Sequence, residues 1–320
     1  MKTAKRIQES RFPAPACGGR RLRSTALNKA RDLVSPRQQH NWDWRAAANF
    51  IAGGAGGGLL LCAALLSLEP AAARMAIVLG LVLIGSGLTC VWFEIGRPWR
   101  ALNVYRHFAT SWMTREAVAA LLLFATGGLA LLSLQPLPVL LTGILGLIFV
   151  FCQANMLAAN KGIPAWRHPR STSLMISTGL AEGAGFLAII LSISVSSPGP
   201  WPLVVLLVLI VTRVFLWKRF LSGLAIDRAP DGTLQVLNGM DSGFVLVGHV
   251  LPALAVAAAL TGMPGRAALI FVAGLLVAAS GWLFKFVLVR RAAFTQGLAL
   301  LHLPVRGLGQ PAPVAGRAAG

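Results

Sequence analysis

The chain has 320 residues, of which 56% are hydrophobic and only 12% charged, and its mean hydropathy is +0.71. So little charge against so much apolar surface excludes a soluble globular domain and a disordered chain. The formal net charge of +19 is no nucleic-acid footprint, because the distribution of the basic residues follows the apolar runs.

Eight apolar runs approach the roughly 20 residues that a bilayer-crossing helix needs. They cover about 46–68, 74–94, 116–134, 139–159, 173–196, 201–221, 243–262 and 266–290. The predicted fold class is therefore all-α: a polytopic membrane protein, a bundle of eight transmembrane helices. Eleven Lys/Arg precede or include Arg45, and the 2–3, 4–5 and 6–7 connections carry four, three and three. Five more lie from Lys285 onward, whereas the opposite side has Arg74 and Arg266 alone, and Arg213 falls inside span six. The positive-inside rule then predicts a multi-pass protein of the cell inner membrane with both termini cytoplasmic.

Residues 1–40 are basic, contain Pro13, Pro15 and Gly18-Gly19, and lack apolar periodicity, so a disordered arm is expected. Its charge would draw it to anionic membrane lipids. Arg20-Arg21 is not followed by an apolar run, which argues against a twin-arginine export signal. The membrane domain is expected over 41–308, followed by a loose Pro/Gly/Ala-rich tail over 309–320. His40-Asn41-Trp42-Asp43-Trp44-Arg45 reads as an interfacial collar ahead of span one. In that span, Gly53/Gly57 and Gly54/Gly58 form small-xxx-small pairs, which permit close helix approach. The missing side chain at Gly54 also leaves room for a flat ring.

Between spans two and three runs WFEIGRPWRALNVYRHFATSWMTREA, residues 92–117. Topology and an aromatic belt account for Arg97, Arg100, Arg106, Arg115, Trp99, Tyr105 and Trp112 taken singly. They account less well for the carboxylates Glu94 and Glu116. Ser111-x-x-x-Arg115-Glu116 is a helix-start signature, a polar cap followed by an acid in the first turn.

Further along, Glu182, Arg213, His249 and Lys285 lie inside spans five to eight. On the predicted topology all four fall in the inner half, as do Gln153 and Asn155, while Asn49, Glu94 and Glu116 mark inner helix ends. Ionisable groups in lipid are costly, so a buried polar network or cavity opening toward the cytoplasm is expected. Glu182 and Arg213 share a depth on consecutive antiparallel helices, which predicts that they pair, directly or through one residue. Cys17, Cys62, Cys90 and Cys152 are scattered, with no CxxC, so no iron–sulfur cluster or zinc site is expected. A buried haem needs two opposed axial ligands, and only His249 is clearly intramembrane, so no haem is expected either.

The turn Glu94-Ile95-Gly96-Arg97-Pro98, followed by S-x-x-x-R-E at the start of helix three, resembles the membrane-anchor subunits of dimethyl-sulfoxide-reductase-type enzymes. These overlap with the quinone-binding anchors of polysulfide and nitrite reductases. The family's turn usually reads His-Leu-Gly-x-Pro, so Glu94 stands where histidine is usual. Ile163-Pro164-Ala165-Trp166 resembles the family's turn after the fourth helix. The segments WDWRAAANFIAGGAGGG and RAAFTQGLALLHLPVRG resemble most the membrane subunit of phenylacetyl-CoA:acceptor oxidoreductases.

The resemblance implies an anchor that exchanges electrons and protons with membrane quinone, menaquinone or ubiquinone, and performs no substrate chemistry itself. It implies Glu116 and Glu94 as proton carriers, with Arg97, Ser111, Trp112, Arg115, Asn49 and Gly54 around the quinone. It also implies a four-cluster ferredoxin-like iron–sulfur subunit, docked on basic loops carrying Arg100, Arg106, Lys161, Arg167 and Arg170, and a molybdenum–bis-pterin catalytic subunit. Two alternatives stay open. One is a secondary transporter using the polar cavity, although no internal repeat supports it. The other is a purely structural anchor, suggested by the exchange of histidine for Glu94.

Overall fold

The computed structural model describes residues 35–66, 68–94, 103–105, 108–194 and 198–297. Eight helices in it are long and apolar enough to cross a membrane. They are α1 (Trp44–Leu65), α2 (Pro70–Glu94), α3 (Trp112–Ser133), α4 (Pro136–Ala158), α5 (Pro169–Ser194), α6 (Pro200–Ile226), α7 (Asp231–Leu260) and α8 (Arg266–Arg291). The described residues contain no strand, only an isolated bridge between Gln38 and Phe294. The eight-helix all-α class expected from hydropathy is what the structure has. The expected arm and tail lie outside the described residues, apart from the arm's last few positions.

Local sequence explains the helix ends. Proline opens α2, α4, α5 and α6, where its missing N–H costs nothing and its fixed φ suits the first turn. Ser111 caps α3 by accepting from the Thr114 N–H at 3.4 Å, and Asp43 caps α1 by accepting from the Arg45 N–H at 2.7 Å. Leu134 closes α3 in the left-handed region, at φ 51°, so that α4 starts two residues later.

Seven spans match the hydropathy runs within a few residues, but α7 begins at Asp231, twelve residues before the expected position 243. Its first half, DGTLQVLNGMDSGFV, is too polar for a hydropathy reading. Tertiary bonds stabilise it instead. Asp241 accepts from Trp217 Nε1 at 2.7 Å and from Lys218 Nζ at 2.7 and 2.8 Å, and Thr233 Oγ1 donates to the Ala292 carbonyl at 2.9 Å.

α1 and α5 are the most enclosed helices. α1 packs on α2, α4 and α5, and α5 packs in turn on α6 and α8. Glycine makes this possible. A Cβ on Gly57 would lie 2.6 Å from the Gly146 carbonyl oxygen of α4, and one on Gly146 would lie 2.7 Å from that of Gly57. On the other side of α1, Gly58 meets the backbone of α5 at Gly179 and Gly183. The small-xxx-small pattern thus brings three backbones together, as the sequence suggests.

The start and end of the described bundle are joined. Gln39 N–H donates to the Ala293 carbonyl and Thr295 N–H to that of Arg37, both at 2.8 Å. Gln39 Nε2 reaches the Trp42 and Val289 carbonyls. Trp42 stacks on Trp166 with ring centroids 4.9 Å apart, and Trp166 Nε1 donates to the Leu288 carbonyl at 2.9 Å. This carbonyl belongs to the π-turn Val287–Arg291 that ends α8. The candidate site lies beneath this clasp.

Candidate functional site

At the end of the bundle where α1 and α3 start and α2 and α4 finish, a cavity of about 160 Å³ opens. It is far larger than the space one water needs. α1, with the residue just ahead of its cap, contributes Trp42, Ala46, Asn49 and Phe50 to its wall. The other helices contribute Val91 and Glu94 from α2, Met113 and Glu116 from α3 and Met156 from α4. The wall is apolar except for Asn49 and the two carboxyls. Three of the residues expected around a quinone therefore line one space.

Glu116 is 5% exposed. Its Oε1 accepts from Asn49 Nδ2 at 3.2 Å and from Gln153 Nε2 at 3.1 Å. Gln153 also donates to the Asn49 carbonyl at 2.9 Å. Oε2 accepts no bond from the described residues, and no Lys, Arg or His among them forms an ion pair with Glu116. Asn49 Oδ1 is buried with no hydrogen-bond partner among the described residues, against Gly87 of α2. Glu94 is half-buried at the rim, next to the Phe93 carbonyl, to which Arg45 donates at 2.8 Å. Arg45 also holds Asp43 at 2.8 Å. That hydrogen bond keeps the Asp43 carboxyl below its usual range despite some loss of solvent.

The other expected quinone residues have different neighbours. Arg115 Nε and NH2 donate to the Phe108 and Ala109 carbonyls at 3.1 and 2.6 Å. Its guanidinium stacks 4.3 Å above Trp112, which meets Phe151 edge-on. With Ser111 as the cap, these residues fix the start of α3, and Glu116 with it. Gly54 is not at the cavity, because a Cβ there would collide with Lys285 Nζ. Arg97, Arg100 and Arg106 lie outside the described residues. Gln153, which the sequence placed only at a depth, is the residue that joins the set.

Two further polar sites lie deeper, and one corrects an expectation. Glu182 does not pair with Arg213. Its Oε2 accepts from Lys285 Nζ at 2.5 Å, with side-chain exposures of 0% and 1%. Glycine makes space on both sides, Gly54 at Lys285 and Gly281 at Glu182. Arg213 instead fans across α7 and α8. It donates to His249 Nε2 at 3.0 Å, the Val277 carbonyl at 3.0 Å, the Gly248 carbonyl at 2.6 Å and Ser280 Oγ at 3.1 Å. Gly248 and His249 belong to the π-turn Leu246–Val250, which turns a carbonyl out of the helix ladder toward the guanidinium. His249 Nδ1 sits 2.9 Å from the Phe244 carbonyl, so both ring nitrogens are engaged. Four expected network residues thus form two separate pairs.

Among the basic loop residues, Lys161 and Arg167 are exposed and Arg170 is half-buried. Arg167 donates to the Lys161 carbonyl at 2.7 Å and, through NH2, to Gln296 Oε1. Arg170 donates to the Arg219 carbonyl at 2.8 Å. Nearby, His168 is buried against Phe220, 5.6 Å between centroids. Burial lowers its pKa from the ordinary value; Asp227 opposes and Arg170 reinforces this.

Among the described residues no three or more His, Cys, Asp or Glu converge as for a metal ion. A quinone ring does fit the residues present. It needs apolar walls and hydrogen-bonding groups for its oxygens, and the cavity offers five apolar side chains besides Ala46 and the carboxyls of Glu94 and Glu116, which donate to a quinone oxygen when protonated.

A component of the sulfite dehydrogenase from Allochromatium vinosum, its C subunit, is 30% identical over 168 residues, covering 44% of this chain and 51% of that protein. The chain thus matches about half the length of this curated relative. The profile of the DMSO reductase anchor subunit (DmsC) matches residues 50–227, from the first helix to the end of α6. With eight membrane-spanning helices and a match over more than half its length, the chain belongs to the DMSO reductase anchor subunit family.

Proposed function

We propose that this chain is the quinone-linked membrane anchor of a molybdenum-containing oxidoreductase complex, with Glu116 as the residue that handles quinone protons. The observation that carries this reading is the Glu116 carboxyl, held at one oxygen by two amides at the wall of an apolar cavity. A bound quinone supplies a lipid-soluble carrier of two electrons and two protons. Glu116 holds or moves a proton at its Oε2. Asn49 holds the Glu116 carboxyl through Nδ2, Glu94 at the rim relays protons to water, and Trp42, Phe50 and Met156 exclude solvent from the ring. A carboxyl replaces the family's usual histidine as a relay at Glu94, with a different resting charge near neutrality.

Electrons come from, or go to, a partner. One basic loop carries Lys161, Arg167 and Arg170, and the loop between spans two and three carries Arg100 and Arg106; both suit an acidic iron–sulfur subunit. A molybdenum–bis-pterin subunit would complete the complex on the cytoplasmic face of the inner membrane. The sulfite dehydrogenase relative and the resemblance to phenylacetyl-CoA oxidoreductases make sulfite and phenylacetyl-CoA the substrates to assay first. Charge reversal at Lys161, Arg100 and Arg106 together should release the soluble subunits from membranes while this chain stays inserted.

Glu116→Gln tests the quinone role. The complex should assemble, reduce or oxidise an artificial dye normally, and lose quinone-linked turnover by about a hundredfold or more, the order expected for loss of a general acid–base group. Normal quinone turnover in that variant would refute the role.

A further inference from the structure

We infer that Gln153 is the positioning residue of the quinone site, and that Gly53 exists to seat it. The inference rests on the proposed role of Glu116 and extends it to a residue on a different helix.

Gln153 lies on α4 and is 2% exposed. Its amide nitrogen makes two bonds, to the Asn49 carbonyl of α1 at 2.9 Å and to Glu116 Oε1 of α3 at 3.1 Å. An amide has two N–H donors, and both are used. One side chain therefore ties three helices around the cavity. Asn49 Nδ2 occupies the same carboxyl oxygen from α1. With Oε1 fixed by two donors, the rotation of the carboxyl is set and Oε2 is left for the cavity. Removing Gln153 would leave Asn49 as the sole support, and Asn49 would itself lose a bond at its backbone.

The seat is specific. A Cβ on Gly53 would abut the Gln153 amide, 3.0 Å from Cδ, and would lie 2.6 Å from Phe149 Cε1. No side chain at position 53 leaves the amide where it is. This assigns Gly53 a role different from that of Gly57 and Gly58, which meet the backbones of α4 and α5. Gly54, one residue on, faces Lys285, so α1 separates the cavity site from the deep ion pair by a single step of the chain.

Hydrogen bonds to a charged carboxyl favour that form. Gln153→Met keeps approximate volume and removes both donors, so the limb of the pH–rate profile that reports Glu116 should move to higher pH by about one unit. Turnover at a fixed pH should fall about tenfold, with the KM for a short-chain quinol changing less than kcat. Gly53→Ala, which displaces the amide without altering it, should move the profile in the same direction. The assay uses the membrane-extracted complex with short-chain quinol or quinone and, separately, the dye. A purely structural role would lower complex yield in both variants without moving the profile. Profiles unchanged in both variants, beside an inactive Glu116→Gln complex, would overturn the role of Gln153 alone. Normal quinone turnover in Glu116→Gln would overturn the site itself, and this inference with it.

Discussion

Lys285 Nζ lies 2.5 Å from Glu182 Oε2 in a space that two glycines, Gly54 and Gly281, leave open between α1, α5 and α8. Both charges are withdrawn from water, and Glu182 Oε1 has no hydrogen-bond partner among the described residues. Breaking a buried pair strands the remaining charge, at a cost of ~3–5 kcal/mol, while replacing both partners by apolar groups is often neutral. Glu182→Gln or Lys285→Met alone should therefore lower membrane accumulation and detergent stability more than Glu182→Met combined with Lys285→Met. Size-exclusion profiles after graded heating would measure this. A double variant as unstable as the worse single one would show that the pair is not the unit.

Arg213 is expected to resist replacement by lysine. Its guanidinium makes four bonds in a planar fan, two of them to backbone carbonyls, one within the π-turn of α7. An ammonium has three rotatable donors and cannot match the fork. Each buried acceptor left without a donor costs ~1–3 kcal/mol. Arg213→Lys should lower the unfolding temperature in detergent clearly more than Lys218→Arg does, a change at an exposed position on the same helix. Equal stability in the two variants would contradict this account.

The same residues explain what could be read in advance. Hydropathy measures length against the bilayer, so eight spans were legible. Relative height along each helix was legible too, because residue counts convert to rise. Rotation about the helix axis was not. Glu182 and Arg213 share a height, but Glu182 turns to Lys285 and Gly281 of α8, while Arg213 turns to the Gly248 carbonyl of α7 and the Val277 carbonyl of α8. The carboxyl at the start of α3 was identifiable because topology rules do not call for one there. Its partner Gln153 was visible only as a polar residue at the right depth. The link runs through the missing side chain of Gly53, which the small-xxx-small pattern marks for close helix approach but not for seating an amide. The polar first half of α7 was missed because the bonds that stabilise it, from Trp217 and Lys218 to Asp241, come from another helix.

His168 gives a pH signature outside the spans. Burial holds its pKa below the ordinary value of 6.5, so the unfolded chain binds the proton more readily. Stability contributed by the neutral, buried ring is fully present above that ordinary value and is lost as pH falls from there through the lower folded value. Thermal stability in detergent should drop on acidification below about pH 6.5. His168→Gln should flatten that part of the curve. An identical slope in the variant would assign the acid sensitivity to other groups.

Reporter fusions check the orientation that the charge partition predicts. Fusions after Gly262, in the α7–α8 turn, and after Gly320 should report opposite sides of the membrane, with the C-terminal fusion cytoplasmic. Equal signals from both would refute the predicted arrangement.

The position of the cavity makes a final prediction about energy coupling. Glu116 is the fifth residue of α3, roughly 6 Å from its start at 1.5 Å per residue. Glu94 is the last residue of α2. Both lie at the end of the bundle where residues 37–39 bond to residues 293–295, which the charge partition assigns to the cytoplasm. Protons released or taken up through Glu116 and Glu94 would exchange with that side. Electrons delivered by a subunit docked on the same side would cross little of the bilayer. Turnover would therefore move almost no charge through the membrane dielectric. In sealed vesicles containing the purified complex, a voltage-sensitive dye should stay near its baseline during quinone-linked turnover. An ionophore should leave the rate unchanged. A sustained voltage, collapsed by that ionophore with faster turnover, would mean that protons take a path across the bundle, and the same-side assignment of Glu116 and Glu94 would fall.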